Sequence, residues 1–190
     1  MKLSKEYECV ALVGVATDTY DVLGMPTFQE VKRFSLAQVR DYLQGLVGTF
    51  SQPYPPYSSK TVDGVALHER VRTETLPESL PTHDVRVSWV SDAVATDSSL
   101  RRVGEQVHAI VSRVTGDFRQ SEILAAWDAL LSTNAQVNPD ASDAVVMVSF
   151  TIAVSSGTYI RSIVHSLGES LGVGACILSL RRTKVGDFPL

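Results

Sequence analysis

An arginine stands where electrostatics disfavours one. In VSSGTYIRSI, residues 154–163, an alternating apolar run stops at Ser155, Ser156 and Gly157, and Arg161 falls where an amphipathic helical pattern begins. A helix N-terminus carries partial positive charge, so an exposed cation there costs about 0.3–1 kcal/mol. One reading is a solvated surface arginine. The other is that a fixed anion faces it, either a carboxylate in a bidentate pair or a phosphate, since the planar guanidinium fits both. Ser156, Gly157 and Thr158 leave backbone donors available to the same anion, and Tyr159 adds an aromatic surface.

Two further stretches concentrate reactive side chains. TDTYD puts Asp18 and Asp21 in one tight turn, where Asp and Thr side chains bond their own backbone. A pair of acids supplies too few ligands for a metal, so no metal site is expected. QPYPPYSSK is too rich in proline for a helix and reads as a stiff wall. It would carry Lys60 towards a phosphate and Tyr54 or Tyr57 towards an unstacked base, or else pack its tyrosines on the core. GVGA closes a helical pattern instead of opening one, which excludes a dinucleotide motif. His68, His83, His108 and His165 are scattered without zinc spacing.

The elements that must position these residues follow from periodicity. A buried strand is expected from about Tyr7 to Val13, then a turn from Thr17 to Asp21 closed by Gly24. SLAQVRDYLQGLVG predicts a helix capped by Ser35, with Leu36, Val39, Leu43, Leu46 and Val47 on one face and Gly48 at its end. DVRVSWV predicts a strand with Val85, Val87 and Trp89 on one face and Arg86, Ser88 and Val90 on the other. Two helices are expected next. Leu100, Val103, Val107, Ile110, Val111 and Val114 form one stripe, with Gly116 as its cap, and Ile123, Leu124, Trp127, Leu130 and Leu131 form another. NAQVNPDASD reads as a polar connection. VVMVSFTIAVS alternates strictly, and Ile160, Ile163, Val164, Leu167 and Leu171 recur at helical spacing before a last strand in CILSLRRTKVGDF. The sum is an α+β chain with strands at both ends and a helical pair between them.

At 190 residues, 44% hydrophobic and 20% charged, the chain has the composition of one soluble globular domain. Cys9 and Cys176 sit in apolar surroundings and read as buried free thiols of a reducing compartment. No run approaches the roughly 20 apolar residues of a membrane span, and a cytoplasmic location is expected. The net charge of −4 argues mildly against nucleic acid, although LRRTKVG leaves a local basic patch.

Taken in order, KEYECVALVGVATDTYDVLG, LVGTFSQPYPPYSSKTVDG, SSGTYIRSIVHSLGESLGVGA and LSLRRTKVGDF resemble the TruB-type tRNA pseudouridine synthases. The third stretch is the most specific. The resemblance fails over roughly residues 95–143, where the family has a short hairpin and this chain the helical pair. It implies a mixed, largely antiparallel sheet and one partial catalytic domain over residues 1–190, with 95–143 as a helical insertion and no C-terminal RNA-binding domain. The activity implied is isomerisation of a T-loop uridine in tRNA, without metal or cofactor, after the base is flipped out.

By match, Tyr7 resembles the tyrosine that stacks on the flipped base and is implicated in proton transfer, and Arg161 the arginine that pairs with the catalytic aspartate. Tyr159 and Leu180 resemble residues lining the uridine pocket, and Asp21 the acid of the turn beside it. Lys60, Arg181 and Arg182 are the expected RNA contacts. The nucleophile itself belongs to a segment resembling Gly-His-x-Gly-x-Leu-Asp-Pro, which these 190 residues lack; the Asn138–Asp140 stretch has a different context. His68 and Thr61 also depart from the family, which commonly has tyrosine and lysine there. The resemblance therefore implies a truncated or split enzyme, inactive alone, whose arginine faces a carboxylate on a separate N-terminal fragment. A non-catalytic RNA-binding protein and a protein-interaction module built on the inserted helices are the alternatives.

Overall fold

The computed structural model describes residues 3–28, 34–73, 75–116, 118–137 and 144–190. In chain order the elements are β1 (Lys5–Val13), β2 (Val15–Thr17), β3 (Pro26–Phe28), α1 (Leu36–Gly45), β4 (Gly48–Pro53), β5 (Thr61–Val62), β6 (Val65–Ala66) and α2 (Leu67–Arg72). They continue with β7 (Thr82–Val90), β8 (Val94–Ser99), α3 (Leu100–Val111), α4 (Gln120–Val137), β9 (Ala144–Val154), α5 (Ile160–Leu171), β10 (Ala175–Val185) and β11 (Phe188–Pro189). Among the described residues one antiparallel sheet runs β11-β10-β1-β9-β7-β4, so the fold is α+β as its periodicities imply. The long middle strands are the apolar, alternating ones, which need neighbours on both edges.

Alternation along β1 and β9 sorts side chains onto two faces. Tyr7, Cys9, Ala11 and Val13, with Val148, Phe150, Ile152 and Val154, join Val39 and Leu43 of α1 and Ile160, Ile163, Val164 and Leu167 of α5 in one core. Leu12, Val15, Val22, Val145, Cys176 and Leu178 form a second core with α3 and α4 on the opposite face. Both cysteines are buried and free, and burial pushes each thiol up. Among the described residues no helix is long and apolar enough to cross a membrane.

Five local expectations change. In β7 the register shifts between Val87 and Trp89, so alternation breaks there: Val90 turns inward while Trp89 is exposed. Residues 94–99 are strand β8, not helix; β8 takes the part of β9's edge from Ala144 to Ser149 that β7, paired at Ile152–Val154, leaves open. Helix α1, capped by the Ser35–Gln38 box, stops at Gly45, so Val47 is exposed and Gly48 opens β4. Helix α3 likewise ends at Val111, before Gly116, while α4 absorbs residues 134–137 of the expected polar connection and Asn138–Asp140 lie outside the described residues.

Candidate functional site

The turn after β2 is built by its own side chains. Thr17 Oγ1 donates to the Asp21 carbonyl at 2.7 Å, and Thr19 Oγ1 donates to Asp21 Oδ1 at 2.8 Å. Asp18 Oδ1 accepts from the Met25 N–H at 2.8 Å, which closes the loop from the other end. Gly24 is required by space: a Cβ there would lie 2.4 Å from both Asp18 Oδ1 and Thr19 Oγ1. The Val22 N–H donates to the Ile177 carbonyl at 3.0 Å and the Ile177 N–H to the Tyr20 carbonyl at 3.0 Å, which seats the turn on β10.

The start of α5 is held just as firmly. Tyr159, the residue before the helix, has no side-chain cap; instead buried Gln52 on β4 grips its peptide, accepting from Tyr159 N–H at 2.9 Å and donating to its carbonyl at 3.0 Å. That grip aims Arg161. Its Nη1 donates to the Thr19 carbonyl at 2.8 Å and to Asp21 Oδ2 at 3.2 Å, and its Nη2 donates to the Tyr57 carbonyl at 3.1 Å. Expected to face an anion from outside the chain, Arg161 instead finds its carboxylate in Asp21, 140 residues away in sequence. The charge offsets the cost of a cation at the helix start. Asp21 has both oxygens engaged, Oδ1 by Thr19 Oγ1 and by the Leu23 N–H at 3.1 Å. It serves as a fixed structural anion.

This turn and the helix start border a cavity of about 640 Å³, walled by α2, by the end of α3 and by the start of α4, with Arg72, Arg119, Arg161 and His68 among its polar residues. Asp18 stands at its edge: Oδ2 accepts from Tyr57 hydroxyl at 3.0 Å and from Arg119 Nη2 at 3.1 Å. Burial and then this bond to Asp18 push the Tyr57 hydroxyl above its ordinary pKa. Among the described residues no group of three His, Cys, Asp or Glu could hold a metal ion.

The remaining expected residues gather in two other places. Tyr7 is buried on β1, facing the α1–α5 core; its hydroxyl accepts from Arg182 Nε at 3.1 Å, and that guanidinium lies 5.4 Å from the ring centroid. Leu180, half-exposed, pairs across from Cys9, while exposed Arg181 donates to Glu8 at 2.8 Å. Tyr159 meets Tyr54 and His83 edge-on, and Lys60 sits 5.3 Å from the Tyr54 ring centroid. The cavity thus brings Arg161 and Asp21 together, whereas Tyr7, Arg182 and Leu180 lie on the β1–β10 pair, Tyr159 at the start of α5 and Lys60 at the end of the proline-rich wall. Sequence reasoning missed Gln52, Arg72 and Arg119. Gln52 precedes a proline at a strand end, and Arg119 lies outside every motif, so neither carries a signal readable without the fold.

Comparison with known proteins places these features. Residues 1–109 match the family model described as TruB family pseudouridylate synthase, N-terminal domain. A tRNA pseudouridine synthase B from Corynebacterium aurimucosum is 32% identical over 188 residues, covering 98% of this chain and 48% of its own length. One from Syntrophus aciditrophicus is 30% identical, covering 98% and 44%. The chain spans about half the length of the curated relatives it matches. Among solved structures, a chain of a Cbf5-Nop10-Gar1 complex is 18% identical with a TM-score of 0.46, covering 99% of this chain and 32% of its own.

Proposed function

The chain belongs to the TruB family of pseudouridylate synthases, and from that premise we propose that it binds a uridine-bearing RNA loop, the T-loop of tRNA, at the cavity around Arg161. The observation that carries this reading is the guanidinium of Arg161, held by three oxygens at the mouth of an arginine-lined cavity. Its volume of about 640 Å³ suits a ligand of nucleotide size. The relatives' name, tRNA pseudouridine synthase B, supports uridine isomerisation in tRNA as the reaction of the whole enzyme.

In this reading residues 1–190 are one partial catalytic domain with residues 95–143 inserted in it. Arg161 and Asp21 set the pocket's electrostatics without making or breaking a bond. Tyr7 is buried and does not line that cavity, so its stacking on the flipped base requires Arg182 to leave its place 5.4 Å from the ring centroid and the base to reach the β1–β10 pair. Tyr159 and Leu180 border the base, and Lys60, Arg181 and Arg182 meet phosphates. Arg181 trades its bond to Glu8 for one, so binding gains little from that residue at high salt. The nucleophilic aspartate is absent from these 190 residues, and Asp21 is too fully engaged to replace it.

Titration of a uridine-containing T-loop hairpin by fluorescence anisotropy tests this. The chain should bind at roughly 50 mM salt and lose affinity steeply towards 200 mM. Arg161→Gln should weaken binding by about tenfold or more, the scale of a hydrogen-bonded charge. Absence of binding at the lower salt overturns the reading. The same RNA, digested and analysed for pseudouridine, should remain unmodified; turnover would refute the claim that no nucleophile is present.

A further inference from the structure

The segment that departs from the family pattern reaches into the cavity. Between α3 and α4 the chain turns through Gly116, at φ 92°, and Arg119, at φ 61°. Arg119 therefore occupies the left-handed region, which side chains other than Asn and Asp rarely enter, so the turn's backbone does not itself favour arginine. The side chain crosses to the opposite wall. Nη2 donates to Asp18 Oδ2 at 3.1 Å and the guanidinium lies 5.1 Å from the Tyr57 ring centroid, with 33% of the side chain exposed. Next to it Phe118, also lining the cavity, is 60% exposed.

Arg119 and Arg161 share this cavity but differ in commitment. Arg161 spreads three bonds over two carbonyls and a carboxylate. Among the described residues Arg119 forms one ion pair, to Asp18, with Glu122 adding a weaker attraction, and Asp18 does not depend on it: Oδ1 keeps the Met25 N–H and Oδ2 keeps the Tyr57 hydroxyl. The guanidinium can leave Asp18 without orphaning either oxygen. An anion entering the cavity would find a delocalised, bidentate donor already aimed inward and an exposed aromatic ring beside it, the pairing that suits a single-stranded nucleotide.

We infer that Arg119 is a phosphodiester-binding residue of this site, held by Asp18 in the free chain and transferred to an RNA backbone phosphate on binding. Phe118 stacks on the adjacent base. This rests on the RNA-binding reading above and adds to it that the inserted segment, not only the family motifs, contacts substrate.

The test is the salt dependence of hairpin binding by the full chain and its variants, each checked by thermal melting. Removing one phosphate contact should flatten the log–log slope by about 0.7–0.9, so Arg119→Gln should show that loss with about tenfold weaker binding at physiological salt. Arg119→Lys should keep the slope. Asp18→Asn removes the competing charge but keeps an acceptor for Met25, and should tighten binding; the gain should vanish in the Asp18→Asn/Arg119→Gln double variant. An ion pair with a merely structural role would move melting temperature and leave the slope alone. If the wild-type chain binds and Arg119→Gln retains its affinity and slope, this inference falls while the RNA-binding reading stands. If the wild-type chain binds no RNA, both fall.

Discussion

The helices on the two faces of the sheet are seated by different means. On one face α5 presses backbone to backbone against the start of β10: a Cβ on Gly168 would lie 2.5 Å from Ala175 N and 2.9 Å from the Val173 carbonyl oxygen. On the other face α3 meets α4 at Gly104, whose Cβ would lie 2.6 Å from Leu131 Cδ1, the movable end of a side chain. Backbone cannot yield there, whereas a leucine rotamer can. The contrast matches what each layer delivers to the cavity. Helix α5 delivers Arg161, whose three bonds to two segments survive only small displacements. The α3–α4 layer delivers Arg119, whose ion pair with Asp18 tolerates more movement.

The largest effect should come from asking whether the α3–α4 layer is a true core. Trp127 is fully buried among Val103, Val107 and Ile123, so Trp127→Ala should cost about 3–5 kcal/mol in urea unfolding. Among the described residues its indole N–H is buried without a partner, so Trp127→Phe removes that donor along with volume and should cost less than about 1.5 kcal/mol. An alanine cost below about 1 kcal/mol would mean this layer is an appendage, and the comparison of two cores would collapse.

The two glycines sharpen it. Gly168→Ala should destabilise by about 2–3 kcal/mol, because the new methyl meets main-chain atoms. It should also weaken RNA binding, since α5 must shift and take Arg161 with it. Gly104→Ala should stay within about 1 kcal/mol of wild type, the gain in helix propensity offsetting the repacking of Leu131. Equal costs in a thermal-melt series would refute the distinction between rigid and adaptable seating.

How much of this was legible in sequence differs along the same divide. An apolar run gave β1, strict alternation gave β9, helical spacing with a Gly-rich end gave α5, and Ser35 gave the start of α1. Burial of Cys9 and Cys176 followed from apolar neighbours. Trp89 and Val90 went to the wrong faces because a bulge is a property of two paired strands and leaves no mark on one. VATDSS is too polar to announce β8, which exists because β9 has an edge to complete. Both Asp21 and Arg161 stood out as chemistry, but their pairing required knowing that the turn rests on β10 beside the start of α5. Local sequence reveals which residues are unusual; partners distant in the chain emerge only when the sheet is assembled.

The smallest expected effect concerns pH. His165, on α5, stacks on Tyr20 with centroids 3.8 Å apart. Burial holds its imidazole below the ordinary value, against the opposing pull of Glu169, whose carboxylate lies 3.7 Å away. The unfolded chain therefore binds more protons than the folded one between the lowered folded value and about 6.5. Its contribution to stability is then complete above about pH 6.5 and declines as the pH falls towards the folded value. Glu6, whose carboxyl Thr183 and Lys184 hold below its usual range, acts only in more acidic solution and does not confuse this window. Urea midpoints between about pH 5 and 7.5 should fall on acidification in the wild-type chain, and the slope should be shallower in His165→Gln. Trp127→Phe should keep the wild-type slope, because it alters the opposite face. Identical slopes in wild type and His165→Gln would mean that the Tyr20–His165 stack accommodates the charged ring as readily as solvent does, and that the close seating of α5 does not extend as far as its polar side.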